Sequence, residues 1–172
     1  MVPTLPCILC NLRIPKKTEE RTMSTLKPVV LQELLAVASK TLKNSYSPYS
    51  KFKVGAAVLA ASGKIYGGTN IENASFGLTN CADRTALFGA IAAGEREFKA
   101  LAIVFNQKGL GELSTPCGAC RQVMAEFCAP TMPIYTADVS SGKPQRIVSK
   151  KLKDYYPYPF SPEALKKPHK TK

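Results

Sequence analysis

Three cysteines at the starts of two predicted helices constrain this chain more than any other feature. Two of them lie three residues apart in Pro116-Cys117-Gly118-Ala119-Cys120, and Cys81 opens the other helix. Residues i and i+3 share a helix face, and helix N-termini stabilise thiolates. Three thiolates with an open fourth position are typical of a catalytic zinc site. Arg84 is placed to offset the net negative charge of such a site. The alternative is that the three are buried free cysteines.

The remaining metal-ligating side chains do not extend this pattern. Cys7 and Cys10 form a half-site with no matching pair nearby, and we interpret them as an oxidisable pair in a disordered segment. Cys128 is predicted to be a core thiol near the end of its helix. His169 is the only histidine, and its place in a basic tail makes it a poor ligand.

Apolar periodicity predicts an α/β fold, and the length and composition suit one compact domain. A helix beginning near Lys27 is followed by a β-hairpin, Phe52–Ala60 and Lys64–Asn70. Asn80 is the predicted N-cap of a helix that ends at Gly94. The other predicted elements are a buried strand at 100–105, a loop at 109–114, a helix at 117–127 and strands at 132–136 and 146–149. Helices that alternate with strands indicate a mixed sheet covered by helices.

The charge of this chain lies mostly at its two ends. The net charge of the chain is +12. Residues 1–27 contribute +3 from five basic and two acidic side chains, and residues 143–172 contribute +7 from nine basic and two acidic ones. Residues 28–142 contribute only +2, because ten basic side chains are nearly balanced by eight acidic ones. We interpret residues 1–24 as a flexible leader and 166–172 as a basic tail, because basic ends are usually just solvated. Nucleic acid is therefore a disfavoured partner.

No apolar run approaches the roughly 18 residues that a membrane-spanning helix needs, so we expect no membrane association. The first ten residues are shorter than a secretory signal and lack its basic start. Six cysteines without such a signal suit metal or catalytic thiols better than disulfides. We expect a cytoplasmic protein.

Several motifs in order closely resemble the zinc-dependent cytidine deaminase family. They are Cys81-Ala82-Asp83-Arg84 followed by Pro116-Cys117-Gly118-Ala119-Cys120-Arg121-Gln122, the upstream segment 46–57, and Asn70-Ile71-Glu72-Asn73. The resemblance covers roughly residues 25–165 and implies a three-layer α/β/α fold with helices on both faces of the sheet. It also implies a zinc enzyme that converts cytidine or deoxycytidine to uridine or deoxyuridine in pyrimidine salvage.

The resemblance assigns the proton-transferring carboxylate to Asp83, where the family has glutamate. The aspartate arm is one methylene shorter, and a misplacement of about 1 Å can cost on the order of 10²-fold in rate. Three interpretations stay open: the site compensates for the shorter arm, the enzyme has reduced activity, or the chain binds nucleoside without turning it over. The structural alternative is a helix-start charge favoured by the dipole.

Substrate contacts follow by the same resemblance. Asn70 and Glu72 resemble the pair that binds the ribose, and Phe52 resembles the aromatic that packs against the pyrimidine. The Ala82 N–H and the Thr115 carbonyl would meet the ring O2 and the amino group. A carboxylate at position 72 would repel a 3′-phosphodiester, which favours a free pyrimidine nucleoside as substrate. The structural alternatives are a solvated strand-end charge for Glu72 and ordinary core packing for Phe52.

The segment Tyr155-Tyr156-Pro157-Tyr158-Pro159-Phe160 resembles the family's C-terminal Leu-Leu-Pro-x-x-Phe, in which the final phenylalanine enters a neighbouring active site. Phe160 thus implies a homotetramer with shared sites. Tyr155 and Tyr156 depart from the leucines, and the alternative is that the aromatic tail packs on its own domain.

Three other functions remain as rivals. Asp83 motivates a catalytically weak nucleoside-binding relative. The net charge motivates a polynucleotide-editing deaminase, against which Glu72 and the placement of the charge argue. A deaminase of a cytosine-bearing antibiotic is the third, and the ribose segment 70–73 disfavours it.

Overall fold

The structure is a computed structural model that describes residues 26–108 and 115–162. The predicted leader 1–24, loop 109–114 and tail 166–172 lie outside these residues, as do Cys7, Cys10 and His169. The elements within them are, in chain order, α1 (Pro28–Leu42), β1 (Val54–Ala60), β2 (Ile65–Thr69), a 3₁₀ turn (Phe76–Leu78), α2 (Ala82–Ala92), β3 (Phe98–Phe105), α3 (Gly118–Phe127), β4 (Pro133–Asp138), β5 (Gln145–Lys151) and α4 (Leu152–Tyr155).

The five strands form one mixed sheet in the order β2-β1-β3-β4-β5. Strands β3 and β4 run parallel, and each of the other neighbouring pairs is antiparallel. The predicted hairpin is confirmed as β1–β2, in which Leu59 pairs with Ile65. Its turn contains Gly63 with φ of 92°, a backbone conformation that favours glycine.

Helices cover both faces of the sheet, because successive residues of a buried strand point to opposite sides. Ala57 and Leu59 of β1 pack with α1, whereas Ala56 and Val58 pack with α2 and α3. The α1 face predicted from periodicity is confirmed, since its buried residues are Leu34, Leu35 and Ala38. The expected three-layer α/β/α fold is therefore confirmed.

The two site-bearing helices begin one residue later than predicted. Cys81 and Cys117 have extended backbones, with ψ of 155° and 167°, and occupy the N-cap positions of α2 and α3. Asn80 is therefore not the N-cap, and its amide donates a hydrogen bond to Thr85 Oγ1 at 3.0 Å. One thiol consequently lies at the N-terminal end of each helix.

Strand β2 lies close against α2 at Gly68, and this contact sets the position of the helix. A Cβ on Gly68 would overlap the backbone nitrogen of Ala86 and the carbonyl oxygen of Ala82. We expect Gly68→Ala to lower the free energy of unfolding by about 1–3 kcal/mol, since backbone atoms cannot move aside as a flexible side chain can. Denaturant titration measures the change.

The matched control is Gly89→Ala in α2, where a Cβ meets no atom within 4 Å. We expect that variant to be neutral or more stable by up to about 1 kcal/mol, because alanine favours helix. Equal stability of the Gly68→Ala and Gly89→Ala proteins would contradict the close approach.

Candidate active site

The three predicted zinc ligands converge where α2 and α3 begin. The Sγ atoms of Cys81 and Cys117 are 3.8 Å apart, and those of Cys117 and Cys120 are 3.3 Å apart. All three sulfurs lie within 4.8 Å of one another. Cys120 is buried, Cys81 is half-buried and Cys117 is exposed, so the cluster reaches from the core to the surface.

This donor set fits zinc. Tetrahedral coordination with Zn–S bonds of about 2.3 Å places sulfurs about 3.8 Å apart, close to the spacings observed here. Within the described residues, the group that could hold an ion consists of these three cysteines alone. Three ligands leave a fourth coordination position for water or substrate, as in catalytic zinc sites. Cys81, Cys117 and Cys120 could therefore hold a zinc ion.

The thiols are electrostatically coupled to each other and to Arg84. The neighbouring Cys120 thiol, with a hydrogen bond from the Arg84 guanidinium, lowers the pKa of Cys81 to about 6. The neighbouring Cys81 thiol, together with burial, raises the pKa of Cys120. The cluster therefore stabilises a thiolate at Cys81, which is the form that binds metal.

Arg84 lies against this cluster. Its Nη2 donates to the Thr79 carbonyl at 3.0 Å and to Cys81 Sγ at 3.7 Å. Its Nε is buried and has no hydrogen-bond partner among the described residues. The guanidinium thus stands beside a sulfur that carries negative charge in the zinc-bound form.

Asp83 faces inward from the first turn of α2. Its side chain is 4% exposed, and its Oδ1 accepts a hydrogen bond from Cys120 Sγ at 3.0 Å. Burial raises the pKa of this carboxyl, although the contact with Cys120 opposes the shift. Burial against the Cys120 thiol distinguishes Asp83 from a solvated helix-start acid.

Glu72 lies on an irregular segment that runs beside the segment preceding β1. Its carboxylate accepts backbone hydrogen bonds from Tyr49 at 2.9 Å and Ser50 at 3.2 Å, and a further one from the Ser50 hydroxyl. The hydroxyl contact, with help from the backbone, lowers the pKa of Glu72. Glu72 therefore holds its negative charge against the turn at Tyr49 and Ser50, unlike a freely solvated side chain.

A cavity of about 420 Å³ adjoins Glu72 and is also lined by Tyr49, Ser50, Phe76 and Thr79. This volume is in the range of small-molecule sites. Thr79 connects the cavity to the cysteine cluster, because its carbonyl accepts from Arg84, which also contacts Cys81. The cysteines and Asp83 do not line this cavity, so Glu72 and the cysteine cluster are linked through Thr79 and Arg84 and not by direct contact.

Asn70 and Phe52 have structural contacts of their own. Asn70 is 8% exposed; its Oδ1 accepts from Val54 N at 2.9 Å and Ser45 Oγ at 2.6 Å, and its Nδ2 donates to the Phe52 carbonyl at 2.8 Å. The Phe52 ring stacks on Phe105 with a centroid distance of 5.8 Å. Asn70 therefore fixes the backbone on both sides of Lys53, and a ribose contact from it stays a prediction.

The other predicted contact residues lie in three places. Ala82 is fully buried at the first position of α2. Thr115 lies two residues before Cys117, and its hydroxyl accepts a hydrogen bond from Arg121 Nη2 at 3.0 Å. Phe160 is 60% exposed, and its backbone carbonyl accepts from Gln122 Nε2 at 2.9 Å. Their contacts with substrate remain predictions.

Arg121 and Gln122 are residues whose contacts the sequence did not suggest. Arg121 donates to the Pro116 carbonyl at 2.7 Å and to the Tyr155 carbonyl at 3.0 Å. Gln122 accepts from the Tyr156 hydroxyl at 2.9 Å. Their position directly after Cys120 was the only signal in the sequence, and it does not reveal partners 34 residues away.

Comparison with known proteins places this site in a family. The family model for the cytidine and deoxycytidylate deaminase zinc-binding region matches residues 29–136. The cytidine deaminase of Sporosarcina psychrophila is 47% identical over 135 residues, covering 78% of this chain and 94% of the relative. That of Halalkalibacterium halodurans is 46% identical over 121 residues, covering 70% and 89%.

Solved structures agree with this result. The crystal structure of cytidine deaminase from Burkholderia pseudomallei has a TM-score of 0.67 and 42% identity, covering 74% of this chain and 97% of that one. A Mycobacterium tuberculosis cytidine deaminase mutant with aspartate in place of a glutamate has a TM-score of 0.64 and 31% identity, covering 78% and 97%. Since the family match runs from α1 into β4 and includes the three clustered cysteines, this chain belongs to the cytidine and deoxycytidylate deaminase family of zinc-dependent hydrolases.

Proposed function

We propose that this protein deaminates free cytidine and deoxycytidine hydrolytically, giving uridine or deoxyuridine and ammonia. The observation that carries the proposal is the buried Asp83 carboxyl, 3.0 Å from the sulfur of the zinc ligand Cys120. A carboxyl fixed beside a zinc site is positioned for general acid–base work. The names of the relatives support cytidine as the base-bearing substrate.

The proposed reaction replaces the amino group at C4 of the cytosine ring with oxygen from water. Zinc held by the three thiolates would supply a water whose pKa is lowered toward neutrality. Asp83 would take up a proton, pass it to ring N3 and then carry a proton to the departing amine. The Ala82 N–H and the Thr115 carbonyl would orient the base through O2 and the amino group.

Glu72 would select a free nucleoside. Its carboxylate is held by Tyr49 and Ser50 at the wall of the cavity, and its lowered pKa keeps it ionised. In that state it would accept a hydrogen bond from a ribose hydroxyl and repel a 3′-phosphate. Asn70 and Phe52 would complete the pocket for sugar and base. This charge disfavours a polynucleotide substrate.

Asp83 also supports a second candidate function, a catalytically weak nucleoside-binding protein. Its side chain is one methylene shorter than the glutamate of the family, while the three thiols cluster and Glu72 lines a cavity. Misplacing a reacting group by about 1 Å can cost on the order of 10²-fold in rate. We therefore propose that binding is retained and turnover is reduced.

One assay separates these candidates. The loss of cytidine absorbance in the presence of the zinc-loaded protein measures turnover, and isothermal titration measures binding. Conversion of cytidine or deoxycytidine supports the enzyme, whereas binding without conversion supports the weak relative. Conversion of a cytosine-containing oligonucleotide or antibiotic in preference to the nucleosides would overturn the assignment of substrate.

The exposed Phe160 ring supports a proposed homotetramer with shared active sites. Phe160 is 60% exposed although Gln122 holds its backbone, which leaves apolar surface that could pack on another subunit. We expect Phe160→Ala to weaken nucleoside binding without releasing zinc. Light scattering and titration check this, with Tyr158→Ala, whose residue is 91% exposed, as the control. A monomer with full affinity would contradict the proposal.

We also propose a cytoplasmic location and a role in pyrimidine salvage. Cys81, Cys117, Cys120 and Cys128 are all free thiols, which suits a reducing compartment. Within residues 26–108 and 115–162, no helix has the length and apolar character needed to cross a membrane. Recovery of free nucleosides is the process that a nucleoside deaminase would serve.

A further inference from the structure

The side chain of Arg121 links the loop that enters the zinc site to the C-terminal part of the domain. Its Nε donates to the Pro116 carbonyl at 2.7 Å, and its Nη2 donates to Thr115 Oγ1 at 3.0 Å. Its Nη1 donates to the Tyr155 carbonyl at 3.0 Å, and its Cζ lies 5.7 Å from the centroid of the Tyr155 ring. All three nitrogens of the guanidinium group therefore have partners.

The loop that Arg121 holds leads directly to a zinc ligand. Thr115 and Pro116 immediately precede Cys117, which is exposed and caps α3 without a hydrogen bond from its own side chain. The backbone N–H of Arg121 also donates to the Cys117 carbonyl at 3.0 Å. The Arg121 side chain thus contacts the two residues before this ligand, whereas its backbone N–H makes the first helical hydrogen bond of α3 to the ligand's carbonyl.

The other end of the link is firmly packed. The Tyr155 side chain is half-buried and packs against the core cluster that contains Cys120 and Leu152. Leu152 of α4 is 2% exposed, and the helix is tied to the loop before β4 by the hydrogen bond from Leu152 N to the Met132 carbonyl. The Tyr155 carbonyl is therefore a fixed anchor for the guanidinium.

We propose that Arg121 is a positioning residue for the zinc ligand Cys117, acting through Thr115 and Pro116 and anchored on Tyr155. Groups that orient metal ligands contribute to metal affinity because the ligands do not have to be ordered when the ion binds. A planar guanidinium suits this role, since its fork of donors reaches acceptors on two chain segments at once. The proposal rests on the zinc assignment and not on the identity of the substrate.

Competition with a chromophoric chelator tests the proposal on the zinc-loaded protein. We expect Arg121→Gln to lower zinc affinity by roughly 10- to 100-fold, the usual effect of losing a group that orients a metal ligand. The zinc affinity of Arg121→Lys should lie between those of the unaltered protein and Arg121→Gln, because an ammonium group keeps the charge but cannot reproduce the fork of donors. Thr115→Val, which removes only the hydroxyl acceptor, should have a smaller effect in the same direction.

The matched control is Arg96→Gln. Arg96 also donates to two carbonyls, those of Ile91 at 2.8 Å and Glu95 at 2.7 Å, at the far end of α2 from Cys81. Its substitution should leave zinc affinity unchanged. Thermal unfolding of the zinc-free proteins separates positioning from general stability. A positioning role predicts that Arg121→Gln loses more free energy of zinc binding than free energy of unfolding.

The outcomes are distinct. Zinc affinity of Arg121→Gln equal to that of the unaltered protein overturns the proposal while leaving the zinc site intact. An equal loss of affinity in Arg96→Gln overturns it as well. Should Arg121→Gln fail to fold, Arg121→Lys and Thr115→Val decide in its place, and full zinc affinity in both overturns the proposal. An unaltered protein that takes up no zinc overturns the zinc assignment and this role together.

Discussion

Replacing Asp83 by alanine is expected to lower the turnover of cytidine by at least about 10²-fold, within the range that a positioned acid–base group contributes. The carboxyl is buried beside Cys120 and is the acidic group next to the proposed zinc ligands. Zinc content should not change, because Asp83 is not one of the three ligands. Steady-state kinetics with elemental analysis of the same preparation measures both.

Replacing Asp83 by glutamate is expected to act in the opposite direction, raising turnover by roughly 10-fold or more. The longer arm would bring the carboxyl to the position that the family uses. The Michaelis constant should change little, since the interaction gained belongs to the transition state. Asp154→Glu is the matched control, because Asp154 is exposed and its carboxylate accepts a hydrogen bond from Lys151 N.

Equal turnover for the unaltered protein and Asp83→Glu would show that this site has adapted to the shorter arm. The family resemblance would stand, and the proposed reduction in activity would be wrong. A fall in turnover with Asp83→Glu would instead indicate that the longer side chain disturbs the packing around it. Asp83 is 4% exposed, and adding a methylene in a packed region often costs 1–3 kcal/mol, so the stability of this variant must be measured beside its rate.

The sequence predicted the parts of the fold that depend on local periodicity. The apolar positions of α1 repeat at helical spacing, and three of them, Leu34, Leu35 and Ala38, are buried against the sheet. The turn at Ser62-Gly63 joins two apolar runs, and the structure pairs them as β1 and β2. In each case neighbouring residues carry the information, so a short window of sequence suffices.

Helix boundaries and the short C-terminal helix were less predictable. Asn80 is a good capping residue by type, yet the extended backbone of Cys81 takes the N-cap position. Side-chain type gives a preference, whereas the backbone that precedes the helix decides which residue caps it. Helix α4 has four residues, fewer than a periodic pattern needs, and the sequence gives no sign of it.

The candidate site also contains features that the local sequence predicts and features that only the tertiary structure shows. Cys117 and Cys120 could be paired from spacing alone, and Cys81 joined them because it begins a helix. The contacts of Glu72 with Ser50 and of Arg121 with Tyr155 span 22 and 34 residues. Contacts of this kind depend on tertiary packing, which brings the chain segments together after the local elements are fixed. Sequence indicated Glu72 through its family motif but gave no role to Arg121.

The second prediction with a large expected effect concerns the zinc content of the protein. We expect one zinc per chain in protein purified without chelator, and a content near zero after Cys117→Ala, because two thiolates cannot match the affinity of three. Cys117 is exposed at the N-cap of α3, so its truncation leaves no cavity in the core and the variant should remain folded. Deamination of cytidine should be lost together with the metal.

Cys128→Ala is the matched control, since Cys128 is a buried thiol outside the ligand group and burial raises its pKa to about 12. This variant should keep its zinc while losing some stability to the space left in the core. If the cysteines were only free thiols, the exposed Cys117 would be the more tolerant of the two positions in every assay. Unchanged zinc content in Cys117→Ala would therefore remove that residue from the ligand set, whereas loss of zinc from a folded Cys117→Ala protein, with zinc retained in Cys128→Ala, distinguishes a metal site from a set of buried thiols.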